Sequence, residues 1–386
     1  MPVKNRFAEL LPEITAWRRD FHENPELLFD VNRTAGIVAE KLRSFGCDEV
    51  VEGIGRTGVV AVIKGRATAS GKVIGLRADM DALPIFEATG APHASKTPGK
   101  MHACGHDGHT AMLLGAAQYL AETRNFDGTA VIIFQPAEEG GAGGKVMCDD
   151  GLMDRWGIQE VYGMHNMPGL PLGSFAIREG AFFAGTDTFT IHVEGKGGHA
   201  AKPHETVDTT VVAAQLVTAL QTVASRNHDP VKNLVVSVTS FRTESEAFNV
   251  IPQHVELRGT VRTMDADTRA MAEVRIKALA EGICSGFGAK AAVNYIKGYP
   301  VMVNSPEQTE FAARVAEKVS GSCAPAPLVM GGEDFAFMLE ERPGAYILVG
   351  NGDTAMVHHP AYDFDDNAIP AGCSWWAEVV EQRMPA

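Results

Sequence analysis

Apolar positions along the chain fall into two regimes. Residues 7–45 carry helical spacing with an interruption near Pro25, and after them come short runs at 59–63, 73–76, 130–134, 161–163 and 346–349, each ending in a polar, glycine-rich stretch. Such runs, nearly continuous in β-branched residues, suit strands buried on both faces of a sheet. Residues 111–120 read as a helix between them, and the alternation predicts a layered α/β domain. From about residue 184 the pattern changes. Residues 186–194 alternate as a strand, 206–225 place Val212, Leu216, Leu220 and Val223 on one helical stripe, 234–241 and 255–262 read as strands, 268–284 as a second amphipathic helix and 291–296 as a closing strand. That order, β-α-β-β-α-β, is the ferredoxin-like one. Since 311–319 and 346–349 resume the first pattern, the predicted fold class is α/β: a larger domain with a mixed central sheet, formed by 1–183 and 298–386, interrupted by a ferredoxin-like domain at 184–297.

Composition narrows the partners. With 34 Lys and Arg against 48 Asp and Glu, a net charge of -14 and no dense basic run, the chain is not expected to bind nucleic acid. Six cysteines lie far apart, at Cys47, Cys104, Cys148, Cys284, Cys323 and Cys373, in a chain large enough to fold without staples, so no disulfide framework is expected. Lys4, Arg6 and Glu9 interrupt any secretory signal, and nowhere do about 18 apolar residues run together. The expectation is a cytoplasmic protein with reduced thiols and no membrane contact.

Two motifs mislead. Gly53-Ile-Gly-Arg-Thr-Gly58 has the dinucleotide-binding spelling, with Asp79 about 20 residues on, but the mechanism needs a helix directly after the glycines and the apolar run 59–63 reads as strand. Gly140–Lys145 resembles a phosphate loop without the Ser or Thr after the lysine, and is expected to be a flexible loop.

The residues that carry chemistry follow strands: Asp79 and Asp81 after 73–77, Glu138 and Glu139 after 130–135, His165 after 161–164, and His358 and His359 after 346–349. In open α/β sheets the carboxyl ends of the strands form the ligand crevice, where such distant residues can converge. His102-Ala-Cys-Gly-His-Asp-Gly-His109 adds Cys104 and His106, expected on an irregular segment before a helix. A thiolate beside imidazoles and a carboxylate is the ligand mixture of zinc or a neighbouring transition metal, although a lone cysteine is more often a buried small hydrophobe. Cys104, His106, Glu139, His165 and His358 are too many for one tetrahedral ion, and two metals sharing a bridging group fit better. Glu138, beside Glu139, is then available as a base, against the bland reading of a solvated acidic pair.

These stretches together resemble a known family. Arg77-Ala-Asp-Met-Asp-Ala-Leu-Pro84, Met101–Thr110, Gln135-Pro-Ala-Glu-Glu-Gly140, Gly163-Met-His-Asn166, Gly197-Gly-His-Ala200, Phe248-Asn-Val-Ile-Pro252, Gly332-Glu-Asp-Phe335 and His358-His-Pro360 are similar to the dinuclear metallo-aminoacylases and carboxypeptidases, in the branch of hippurate hydrolase and the indole-acetyl-amino-acid hydrolases. The resemblance implies Cys104, His106, Glu139, His165 and His358 as ligands of two divalent ions, with zinc, manganese, cobalt and nickel all open. It implies Glu138 as general base, Asp81 as the carboxylate that orients the metal site, His199 as stabiliser of the oxyanion, Asn249 and Arg262 as holders of the substrate carboxylate, and a homodimer formed through the inserted domain, or a higher homo-oligomer. His358 is preferred to His359 because related sequences keep the histidine two places before the proline. Asn367 stands where an acid is usual. His22, His93, His192, His204, His228 and His254 read as surface or structural, and His109 as a residue that caps or packs at the helix start. The expected activity is hydrolysis of an N-acyl amino acid to a carboxylic acid and a free amino acid. The alternatives are a dipeptidase or carboxypeptidase of the same mechanism, a metal-dependent binding module and, more distantly, a nicotinamide oxidoreductase.

Overall fold

The computed structural model describes residues 4–386. The β-branched runs form the centre of a sheet, where Thr129–Gln135, Val73–Asp79, Glu160–Met167 and Gly344–Gly350 lie side by side in that order, all parallel. Successive residues along these strands are buried, so both faces are covered, as continuous apolar runs require. On one flank the sheet continues antiparallel through Gly58–Lys64 and Glu49–Ile54. On the other, Phe175–Ile177 runs antiparallel to Gly344–Gly350, and Cys323–Pro325 completes eight strands. The sheet is therefore mixed, with a parallel centre.

Three helices, Asn5–Glu23, His106–Thr123 and Ile369–Arg383, pack on one another. Gly115 sets how closely they approach, since a Cβ there would come 2.5 Å from Ile14 Cδ1 and 2.9 Å from Cys373 Sγ. The helical pattern of 7–45 resolves into Asn5–Glu23 and Asn32–Ser44, broken around Pro25.

The chain divides into two compact units. One comprises the residues up to Gly180, Val303–Pro327 and Asp334–Ala386; the other comprises Ala181–Met302 with Leu328–Glu333. The second takes in 328–333 because the Ala184 N–H lies 2.9 Å from the Val329 carbonyl and 3.0 Å from that of Gly331. Its sheet runs Leu234–Thr243, His254–Thr263, Gly185–Glu194, Lys290–Lys297, antiparallel throughout, with the helices Thr209–Thr222 and Ala266–Gly286, which is the ferredoxin-like arrangement. The first of these helices starts at Thr209 rather than 206, because the Asp208 carboxylate accepts from the N–H groups of Thr210 and Val211 and caps the helix there.

Two expectations about local structure are corrected. The helix after Cys104 begins at His106 rather than near 111, so His106 and His109 are helical; Gly105, at φ +86°, turns the chain into it. The glycine-rich stretch 140–145 is not a flexible loop. Gly143–Asp149 is helical, Gly144 donates to Asp334 at 2.8 Å, and a Cβ on Gly143 would lie 1.7 Å from the Pro136 carbonyl. These glycines permit close backbone packing.

Gly163 in the parallel strand Glu160–Met167 makes a testable case of the same requirement. A Cβ there would lie 2.4 Å from Cδ2 of Tyr346, a fully buried ring stacked on Phe335. Gly163→Ala is expected to cost about 1–3 kcal/mol, read as a lower urea midpoint. An unchanged midpoint would mean that the ring has room to move.

Candidate metal centre

Strand register delivers the chemistry. Asp79 and Gln135 are paired at the ends of adjacent strands, and His165 pairs with Leu348 near the ends of the next two. Just beyond Gln135, Ala137 adopts a left-handed backbone at φ +55°, and a kinked turn then carries Glu138 and Glu139. Asp81 shapes that turn, accepting the N–H of Glu138 at 2.9 Å and of Glu139 at 3.1 Å on its two oxygens. The same carboxylate lies 3.5 Å from Nδ1 of His106. One buried side chain thus positions both acids and an imidazole.

The five expected ligands come together. Cys104, His106 and His165 offer atoms within 4.8 Å of one another, as do Cys104, Glu139 and His358, and as do His106, Glu138 and Glu139. Cys104 Sγ is 3.3 Å from His165 Nε2, and His358 Nε2 is 3.2 Å from Glu139 Oε1. Because Cys104 belongs to two of these sets, one sulfur can serve two cations. His358 is held in place with a left-handed backbone at φ +67°, its N–H bonded to the Ala103 carbonyl at 2.7 Å. For a non-glycine residue this conformation is uncommon and points to a constrained position.

The field at the site favours positive charge, whether a proton or a metal ion. His165 donates from Nδ1 to the Asn166 carbonyl at 2.5 Å, which leaves Nε2 as the lone-pair nitrogen facing Cys104. Burial, with His109 nearby, pushes its pKa well below the ordinary histidine value, so the ring is neutral. Burial and the carboxylates of Glu139, Glu138 and Asp79 push the Cys104 thiol well up. Burial opposes charge on His106, yet Asp79, Asp81 and Glu139 raise its pKa to about 10. His106 Nε2 is buried without a hydrogen-bond partner, and His106 Nδ1 and Glu139 Oε1 have only the poorly aligned contacts to Asp81 and His358, which is costly unless something else engages them. An imidazole, carboxylates and a thiol facing a common space fit divalent metal, which would displace the protons of Cys104 and His106.

Beneath this group lies a network that the motifs only partly signalled. The fully buried Arg77 donates to Asp79 at 2.8 Å, to Gln135 at 2.8 Å and to Asp334 at 2.9 Å. His109 Nδ1 donates to the other Asp79 oxygen at 2.7 Å. Burial opposes the charge on Asp79, but His106, Arg77 and His109 hold its pKa well below the usual carboxylate range. Asp79 is thus engaged as a support, and His109 packs at the helix start. An arginine inside an apolar strand run was the available signal, since a buried charge demands partners.

His199, Asn249 and Arg262 belong to the other unit. His199 sits in a short strand pair with Val250, where its Nδ1 accepts the Ala201 N–H at 3.1 Å, and the Asn249 carbonyl accepts the Ala200 N–H at 3.0 Å. Arg262 bonds the Val261 carbonyl at 3.0 Å near the far end of the strand His254–Thr263. His199 and Asn249 are neighbours. Arg262 lies near the opposite end of the strand that begins at His254, eight residues or about 26 Å of strand rise from it.

The profile of peptidase family M20/M25/M40 matches residues 75–382 of the chain. The chain belongs to this family. A hippurate hydrolase of Campylobacter jejuni is 42% identical over 376 residues, covering 96% of this chain and 97% of that protein. An N-acetylcysteine deacetylase of Bacillus subtilis is 40% identical over 368 residues, with 94% of each covered. A solved Bacillus subtilis structure, described as a dinuclear metal-binding peptidase of the M20 family, superposes with a TM-score of 0.86 at 35% identity, over 98% of this chain and 99% of that one.

In this M20 chain the residue after His106 faces a second buried cluster. Asp107 accepts from His22 Nδ1 at 2.8 Å and from Arg18 at 3.4 Å, and His22 Nε2 lies 3.3 Å from Glu87. Burial lowers the His22 pKa, but Asp107 and Glu87 outweigh it and raise the value to about 9. A folded-state pKa above the unfolded value of about 6.5 adds stability that is complete below about pH 6.5 and is lost as pH rises through 9. His22→Gln should therefore cost roughly 3 kcal/mol more at pH 6 than at pH 10, seen as urea midpoints that converge on raising the pH. A gap that stays constant would mean that His22 is uncharged.

Proposed function

We propose that this M20 protein is a metal-dependent amidohydrolase that cleaves the amide bond of N-acyl amino acids, releasing a carboxylic acid and a free amino acid. The observation that carries the reading is the pair of overlapping ligand sets that share Cys104, with Glu138 beside them. The names of the two enzyme relatives support it, since both describe removal of an acyl group from an amino acid.

We assign Cys104, His106, Glu139, His165 and His358 as the residues that hold two divalent ions, zinc first among zinc, manganese, cobalt and nickel because a thiolate and imidazoles suit it. Bound there, such ions supply Lewis acidity toward an amide carbonyl and make water more acidic. Glu138 takes the proton of the attacking water on its carboxylate and returns it to the departing nitrogen, so that the amine leaves neutral. Asp81 keeps Glu138 and Glu139 on their separate tasks by holding both of their backbone N–H groups. The resemblance adds His199 as stabiliser of the oxyanion and Asn249 and Arg262 as partners of the substrate carboxylate. Exposed apolar side chains of the inserted domain, Val235 and Phe241 on its edge strand Leu234–Thr243 and Phe248 and Val250 on either side of Asn249, support a homodimer as the working unit. A cytoplasmic location fits six free cysteines. No helix among the described residues is long and apolar enough to cross a membrane.

Glu138→Gln tests the assignment. Turnover of N-acetyl and N-benzoyl amino acids should fall by about 10²–10⁴-fold while the bound metal stays at the wild-type level, measured by elemental analysis of the same sample. Retained turnover contradicts the role of Glu138, and faster wild-type turnover of unblocked dipeptides contradicts the substrate class.

A further inference from the structure

The residues assigned to the metal centre sit on segments far apart in sequence, and one side chain outside that set reaches several of them. Asn166 follows His165 at the end of its strand and is fully buried. Its Nδ2 donates to the Cys104 carbonyl at 2.6 Å and to His109 Nε2 at 3.0 Å, and its Oδ1 accepts from the Tyr362 hydroxyl at 2.8 Å. The backbone N–H of Asn166 also donates to His109 Nε2, at 2.9 Å. That ring therefore carries its proton on Nδ1, the nitrogen that donates to Asp79. Every partner is satisfied in one orientation of the amide; exchanging its oxygen and nitrogen would set oxygen against a carbonyl.

Tyr362 extends the connection. It is fully buried, its N–H bonds to the His359 carbonyl at 2.9 Å, and so it anchors the loop that carries His358. The three segments fit closely around Gly105, where a Cβ would come 2.2 Å from Asn166 Nδ2 and 2.4 Å from the Tyr362 hydroxyl. We propose that Asn166, locked by Tyr362, is the positioning residue of the centre: it fixes the Cys104 segment and the His165 strand end against the His358 loop, and so sets metal affinity and the geometry at the thiolate. This rests on the metal-centre reading above. Hydrogen bonds that hold ligand-bearing segments before a cation arrives reduce the ordering that binding must supply, and altering such outer partners typically costs about 10–100-fold in affinity.

Cobalt titrated into the whole protein in competition with a chelator tests the proposal, with the cobalt–thiolate absorption band as a second readout. Asn166→Asp keeps the volume but turns the donor to Cys104 and His109 into an acceptor, and Tyr362→Phe removes one hydroxyl. Cobalt affinity should fall by about 10–100-fold in Asn166→Asp and by several-fold in Tyr362→Phe. The thiolate band should move in both, with a thermal midpoint near that of the wild type in Tyr362→Phe and a lower one in Asn166→Asp, where a buried acceptor faces a carbonyl. Should Asn166→Asp fail to fold, Tyr362→Phe decides by the same two readouts. Wild-type affinity and an unmoved band in the folded variants overturn the proposal. A wild-type protein that binds no cobalt overturns the metal reading itself.

Discussion

The packing of negative charge at the carboxyl end of the parallel strands is the constraint on which the rest depends. Asp79, Asp81, Glu138 and Glu139 are carried there by strand register, together with the Cys104 thiol, in surroundings almost closed to water. Burying a charge is expensive unless it is paired, and truncating one partner of a buried pair leaves the other uncompensated. Arg77 answers part of this charge by bridging Asp79 and Asp334 below the site. What remains faces the imidazoles of His106, His165 and His358, and the carboxylates that raise the His106 pKa would attract a divalent cation in the same way.

Support and chemistry are divided among the acids. Asp79 spends both oxygens on Arg77 and His109, while Asp81 spends both on the backbone of the Glu138–Glu139 turn. The residues assigned to metal and proton transfer are thereby placed by carboxylates whose own oxygens are taken up by protein donors, which is how a site keeps its geometry without the reacting groups supplying it. The left-handed residues Ala137 and His358 belong to the same economy of placement: each sits where the chain must turn sharply to present a side chain, and each is held by neighbours that over-determine it.

The strands of the parallel centre were legible because a sheet covered on both faces needs uninterrupted apolar runs, and residues 130–134 and 346–349 are such runs. The ferredoxin-like order was legible for the complementary reason: its strands have one covered face and alternate, as in Gly185–Glu194. Periodicity failed at His106–His109, where the first helical turn is buried yet polar, so that residues serving the site mask the helix. It failed again at 140–145, where glycine signals close packing as readily as freedom. The candidate ligands were legible from residue type and position after strands, and their choice from motif resemblance. The supports were less so: a buried Arg77 or the link from Asn166 to Tyr362 depends on contacts between segments about 200 or more residues apart, for which local sequence carries no pattern.

The proposed sharing of Cys104 between two cations rests on the overlap of its two ligand sets. Anomalous diffraction from crystals of the protein grown with manganese or cobalt tests it most directly. Two peaks about 3.5–4 Å apart are expected, both within bonding reach of the Cys104 sulfur and flanked by His106, Glu139, His165 and His358. A single peak, or a pair of peaks that leaves Cys104 without a metal contact, would contradict it.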